Sequence, residues 1–122
     1  MIKQVFWIDK ERFVCELVSS ALKTKNIACY THQEPDNFQF LIEDMQPEAL
    51  VVDLATISES PNDFFKSLAK GQVSSKTPLI VLGSNEEYES IKAFGPNIRG
   101  HITKPISPMD IGDQISVILK KI

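Results

Sequence analysis

No apolar run in the chain approaches the roughly 20 residues needed to span a bilayer core. Met1-Ile2-Lys3-Gln4 leads directly into a strand pattern, without the apolar centre of a secretion signal. These two absences set the expectation of a cytoplasmic protein with no membrane partner. The basic residues are scattered, and the formal net charge is -3, which argues against the positive footprint of a nucleic-acid binder. The two cysteines, Cys15 and Cys29, fit neither a metal-ligand spacing nor a disulfide framework. Both are expected to act as small buried hydrophobes, one on a helix and one in a strand. The first strand is not followed by a glycine-rich phosphate loop, since Asp9-Lys10-Glu11-Arg12 stands there. With no nucleophile–base set or second acid–base pair in view, an enzyme is not expected. Repeats, linkers and low-complexity segments are absent too.

What is present is enough for one domain over residues 1–122, with 43% apolar residues to fill its core. Lys3 to Asp9 is nearly all apolar, as in a strand covered on both faces. A helix is predicted over Glu11 to Lys25, with Val14, Leu17, Val18, Ala21 and Leu22 on one face and Asn26 as its stop. Ile27 to Thr31 reads as a short second strand nearer an edge. Pro35 suits the first turn of a helix whose inward side is Phe38, Leu41, Ile42 and Met45. Pro47 ends that helix, Ala49 to Asp53 forms the third strand, and Thr56 to Glu59 is a loop.

Ser60-Pro61-Asn62-Asp63 has the composition of a capped helix start, and Phe64, Phe65, Leu68 and Ala69 form its buried stripe up to Gly71. The fourth strand is Pro78 to Leu82. Ser84-Asn85-Glu86-Glu87 is a second capping box, opening a helix to about Phe94. Gly100 to Lys104 is the fifth strand, and Ser107-Pro108-Met109-Asp110 opens a last helix with Ile111, Ile115, Ile118 and Leu119 on one side.

Strands alternating with helices predict a doubly wound α/β sandwich around a five-stranded parallel sheet. Right-handed crossovers favour the order 2-1-3-4-5, with the first and third strands side by side at the switch point. Three strands end in charge there: Asp9, Asp53 and, after His101-Ile102-Thr103, Lys104 followed by Pro105. The intervals of about 45 and 50 residues each hold two strand–helix units of crossover length. Two acids and a lysine are thereby brought to one rim of the sheet.

An Asp–Asp–Lys cluster at the carboxyl edge of such a sheet resembles the pocket of response-regulator receiver domains, and the resemblance covers the whole chain in element order. It implies the flavodoxin-like sandwich already read from the pattern. It makes Asp53 the phosphoacceptor, preceded by Leu50-Val51-Val52, and Lys104-Pro105 the lysine–proline pair after the last strand, whose peptide is often cis. It places Asp9 as the first of the paired acids. It implies Mg²⁺ on Asp9, Asp53 and the Ala55 carbonyl, and phosphate supplied by a histidine kinase or phosphotransfer protein. Output would pass to a downstream protein through the face made by the fourth helix, fifth strand and fifth helix, with Tyr88, Ile91 and His101 as contacts. A homodimer through that face is a further expectation. Glu11 reads as a helix-start acid favoured by the dipole rather than as a ligand.

The pattern departs from that family in three places. Lys10 stands where the metal-binding acid is expected. If its ammonium folds inward, Asp9 and Asp53 are balanced by Lys10 and Lys104 with no metal, which counts against Mg²⁺; the alternative is that it extends to solvent. Gly83 occupies the position of the switch Thr or Ser, with Ser84 one place later in the capping box. His101 occupies the switch-aromatic position, where it could rotate, respond to pH, or have no special role. Ala55-Thr56-Ile57-Ser58 replaces the usual Met-Pro-Gly segment. Two readings therefore stand: a stand-alone phosphorelay receiver, and a pseudo-receiver docking module that works without phosphorylation. A small-molecule-binding α/β domain is a more distant third.

Overall fold

A computed structural model describes residues 2–95 and 97–122; Met1, the first residue of the proposed lead-in to strand one, lies outside them. The elements are β1 (Lys3–Ile8), α1 (Arg12–Lys23), β2 (Ile27–His32), α2 (Gln39–Met45), β3 (Ala49–Asp53), α3 (Pro61–Lys70), β4 (Leu79–Leu82), α4 (Asn85–Ile91), β5 (Ile98–Ile102) and α5 (Ile111–Lys120). All pairings are parallel and the order is β2-β1-β3-β4-β5, the order expected of a doubly wound sheet.

Alternation along each strand sends side chains to opposite faces and builds two cores. On one side Phe6, Ile8, Leu50, Val52 and Val81 pack under Phe38, Ile42, Phe64, Leu68 and Ile91. On the other, Val5, Trp7, Val51, Ile80 and Leu82 pack under Val18, Leu22, Ile111, Ile115 and Leu119. The central strands are apolar on both faces because both faces are covered. No helix among the described residues is long and apolar enough to cross a membrane.

Element boundaries differ from expectation in ways with physical causes. α1 ends at Lys23, two residues before the expected Lys25, and the turn that follows closes at Asn26, in the left-handed region at φ 59°. Pro35 does not open α2. It sits in an exposed bend that is closed by His32 Nε2–H donating to the Asp36 carbonyl at 2.7 Å and by Asn37 at φ 58°, so the helix begins only after the buried Phe38. Ser60 and Ser107 lie at helix starts, yet neither side chain caps. Ser107 instead offers its carbonyl to the amides of Asp110 and Ile111, and α5 begins at Ile111. Ala69 is exposed rather than part of the α3 stripe. The capping box at Ser84 is complete, with both reciprocal bonds present. β5 begins two residues early and ends at Ile102 because the ladder to β4 starts at Leu79–Ile98 and carries a bulge. Lys104 therefore stands in the loop beyond the strand, not in it.

Candidate functional site

The pairing of Ile8 with Val52 sets Asp9, just past β1, beside Asp53 at the end of β3. The backbone amide of Asp9 donates to the His32 carbonyl of β2 at 3.0 Å, so the loop leaves the sheet at a fixed point. Lys104 reaches back across β4 from its loop, next to a cis Lys104–Pro105 peptide with Pro105 exposed. Its ammonium is in ion-pair contact with Asp53 Oδ1. Asp9, Asp53 and Lys104 thus meet at one rim of the sheet.

Asp53 is completely buried, at 0% exposure. Its Oδ2 accepts from the Thr56 hydroxyl at 2.7 Å and from the Thr56 amide at 3.2 Å. Among the described residues its Oδ1 accepts no directional hydrogen bond; the Lys104 ammonium lies beside it, on a side chain 35% exposed. Partial burial acts to lower the Lys104 pKa. Its close contact with Asp53 and the charge of that carboxylate, aided by Asp9 and Glu87, outweigh it and hold the ammonium above the ordinary lysine value.

Asp9, 1% exposed, is satisfied mainly by neutral donors. The Glu11 amide donates to Oδ1 at 2.9 Å and the Trp7 indole N–H reaches Oδ2 at 3.5 Å. Burial, the largest influence, pushes its pKa up; the Glu11 amide opposes this, the Asp53 charge adds to it, and Trp7 and Lys104 oppose it further. Glu11 itself is exposed and contributes its backbone rather than its carboxylate.

Lys10 takes the outward course. Its side chain is exposed and makes no ion pair among the described residues, so two carboxylates and one ammonium converge, not two and two. Its backbone is the engaged part. The amide donates to Thr56 Oγ1 at 2.9 Å, and the carbonyl accepts from Gln33 Nε2 at 3.3 Å. A four-carbon stem reaches water from there at little cost.

Gly83 is buried, and a Cβ at that position would lie 2.9 Å from Leu54 Cδ1 and 3.0 Å from Glu87 Oε1. The Leu54 and Glu87 side chains would have to shift to admit a switch side chain there. Ser84 spends its hydroxyl on the α4 cap, 3.1 Å from the Glu87 amide. His101 is half-buried, stacks on Tyr88 with centroids 4.4 Å apart, and donates through Nε2–H to the Gly83 carbonyl at 2.9 Å. Ile91, expected as a surface contact, is 4% exposed and belongs to the core.

The residues implied for Mg²⁺ do not fit it well. The Ala55 carbonyl accepts from the Ser58 hydroxyl at 2.9 Å and from the Ser58 amide at 3.4 Å. Both carboxylates are committed to donors of the protein, and the expected third carboxylate is a lysine. Mg²⁺ asks for near-octahedral oxygen ligands, and no cluster of three His, Cys, Asp or Glu side chains suited to a metal occurs among the described residues.

The cysteines fit their expected role with one adjustment. Cys15 is buried, with Sγ 3.3 Å from the Asp9 carbonyl, and burial together with the Asp9 charge pushes its thiol up to about 11. Cys29 is only half-buried by side-chain exposure, although burial still dominates and pushes its thiol up to about 12.

Known proteins of the same shape carry the fold argument. The Vibrio cholerae chemotaxis response regulator CheY4 superposes with a TM-score of 0.80, at 17% identity, over 97% of this chain and 99% of that one. A response regulator from Desulfuromonas acetoxidans gives 0.81 at 18% identity, over 98% of each chain. The chain has the receiver-domain fold. Within that fold, Asp9, Asp53 and Lys104 lie at the carboxyl rim of the sheet. In sequence, the chain is 22% identical over 120 residues to the phosphate regulon transcriptional regulatory protein PhoB of Pseudomonas aeruginosa, covering 98% of this chain and 52% of that protein. It spans about half the length of that regulator. No family model matches it.

Sequence reasoning missed Thr56 and Trp7 as members of the site. Thr56 left a readable trace, since a hydroxyl residue shortly after an aspartate in a turn is placed to bond that carboxylate.

Proposed function

We propose that the chain is a receiver-type signalling domain that acts by binding other proteins, and that it does so without phosphorylation of Asp53. The observation that carries this reading is the state of Asp53: no exposure, one oxygen holding two hydrogen bonds from Thr56, the other in contact with Lys104. A carboxylate that attacks a phosphoryl group must present a free oxygen in line, at about 3–3.5 Å from the reacting atom. Here Oδ2 already holds both Thr56 bonds, the carboxylate is closed off from solvent, and Gly83 supplies no hydroxyl for an incoming phosphate. Any switching then depends on a partner that binds one conformation more tightly than another. The face formed by α4, β5 and α5 is the proposed partner surface, with Met109 and Val117 exposed near it.

A second reading, a two-component phosphorelay receiver loaded by a histidine kinase or phosphotransfer protein, is favoured by the convergence of Asp9, Asp53 and Lys104. The names of the similar regulators agree with it. Intact-mass measurement after incubation with acetyl phosphate and Mg²⁺ separates the two. The docking reading predicts no phosphoryl adduct on the wild type. An adduct that forms on the wild type and is lost in Asp53→Asn would replace it with the relay.

A further inference from the structure

We infer that Thr56 is a positioning residue that takes over, without metal, one of the two tasks a divalent cation would perform at this rim, the tying of its loops, while Lys104 meets the charge. The inference rests on the reading of Asp53 as unphosphorylated. A cation placed between carboxylates offsets their charge and ties together the loops that carry them. In this chain the charge of Asp53 is met by Lys104, and Asp9 is met by the Glu11 amide and the Trp7 indole. The tying is done by one hydroxyl. Thr56 Oγ1 donates to Asp53 Oδ2 and accepts from the Lys10 amide, which uses the single proton and one lone pair of a hydroxyl. It thereby joins the loop after β3 to the loop after β1. The Lys10 carbonyl passes the connection to the loop after β2 through Gln33.

The oxygens that would have to rotate toward an ion are held away from it. Asp53 Oδ2 belongs to Thr56, and the Ala55 carbonyl belongs to Ser58 in the same turn. Replacing Lys10 with an acid would supply a ligand but leave those oxygens in place. Removing the Thr56 hydroxyl takes away the shorter of the two bonds on Asp53 Oδ2, leaving it the Thr56 amide at 3.2 Å, and unlinks the two loops. Lys10 and Thr56 therefore act in series, and Thr56 decides whether an added acid can be used.

The test is Mg²⁺ titration, followed by Trp7 fluorescence, of the wild type, Lys10→Asp, Lys10→Asp/Thr56→Ala and Lys10→Asp/Thr56→Ser. Trp7 reports because its indole lies against Asp9. No saturable response is expected for the wild type. The alanine double variant, relieved of one competing hydrogen bond to a carboxylate, is expected to bind Mg²⁺ about 10-fold more tightly than Lys10→Asp, whereas the serine double variant, which keeps a hydroxyl, stays with Lys10→Asp. Equal affinity in all three variants would overturn the inference, as would tight binding by the wild type.

Amide hydrogen exchange of the wild type at Lys10 is independent of any variant's folding. Protection is expected from the bond to Thr56, and free exchange would overturn the inference. Failure here without phosphorylation of the wild type leaves the docking reading intact; phosphorylation of the wild type removes that reading whatever Thr56 does.

Discussion

Gly83 shows how a single missing Cβ sets what the rim can hold. The atoms that crowd it are Leu54, itself buried, and Glu87 Oε1, which also accepts the Ser84 amide at 2.9 Å. Gly83→Ser is expected to lower the free energy of unfolding in urea by about 1–3 kcal/mol through overpacking; no loss would mean that the rim has room for a hydroxyl. The thiols of Cys15 and Cys29 are held up to about 11 and 12, so thiolate is scarce near neutral pH. Labelling by a thiol-reactive disulfide reagent should be slow in native protein and fast in denaturant.

Glu43 provides the pH prediction at this scale. Its carboxylate accepts the amides of Val73 at 3.0 Å and Ser74 at 2.8 Å, which together hold its pKa below the ordinary 4.5. A depressed folded-state pKa gives stability that is present above 4.5 and is lost as the pH falls through the lower folded value. Glu43→Gln should therefore melt at a lower temperature than wild type at neutral pH, with the gap closing under acid. A gap constant with pH would contradict the assignment. Asp9, Asp53 and Lys104 were legible in the chain because each is a charge at or just beyond the end of an apolar strand run. Thr56 and the direction of Lys10 were not. A hydroxyl's choice of partner depends on loops distant in sequence, and charge counting does not fix where a flexible stem points.

Three helix starts have the composition of a cap, and one of them uses it. Ser84→Ala should cost about 1 kcal/mol in chemical unfolding, because its hydroxyl satisfies the Glu87 amide while the Glu87 carboxylate returns to the Ser84 amide. Ser60→Ala and Ser107→Ala should be close to neutral, since neither hydroxyl caps its helix. Equal losses at all three would mean that composition alone governs these helix starts. The same contrast explains the misplaced boundaries. Residue type shows that a start is near, but whether the side chain turns back onto the helix depends on the φ,ψ of the preceding turn. β5 begins two residues earlier than its apolar pattern predicts for a related reason. Ile98 and Arg99 join the ladder through a register irregularity that strand alternation does not announce.

At the scale of the molecule, strand order was readable because apolar runs alternating with amphipathic helices leave few unknotted parallel arrangements. The packing of both faces then follows from side-chain alternation. What the rim does once assembled is decided by a few hydrogen bonds that topology leaves open. Titration with Mg²⁺ and beryllium fluoride together, followed through Trp7 emission, tests the account most directly. With Asp53 engaged by Thr56 and Lys104, the wild type is predicted to give no saturable change. A saturable change that needs both additions and disappears in Asp53→Asn would contradict it.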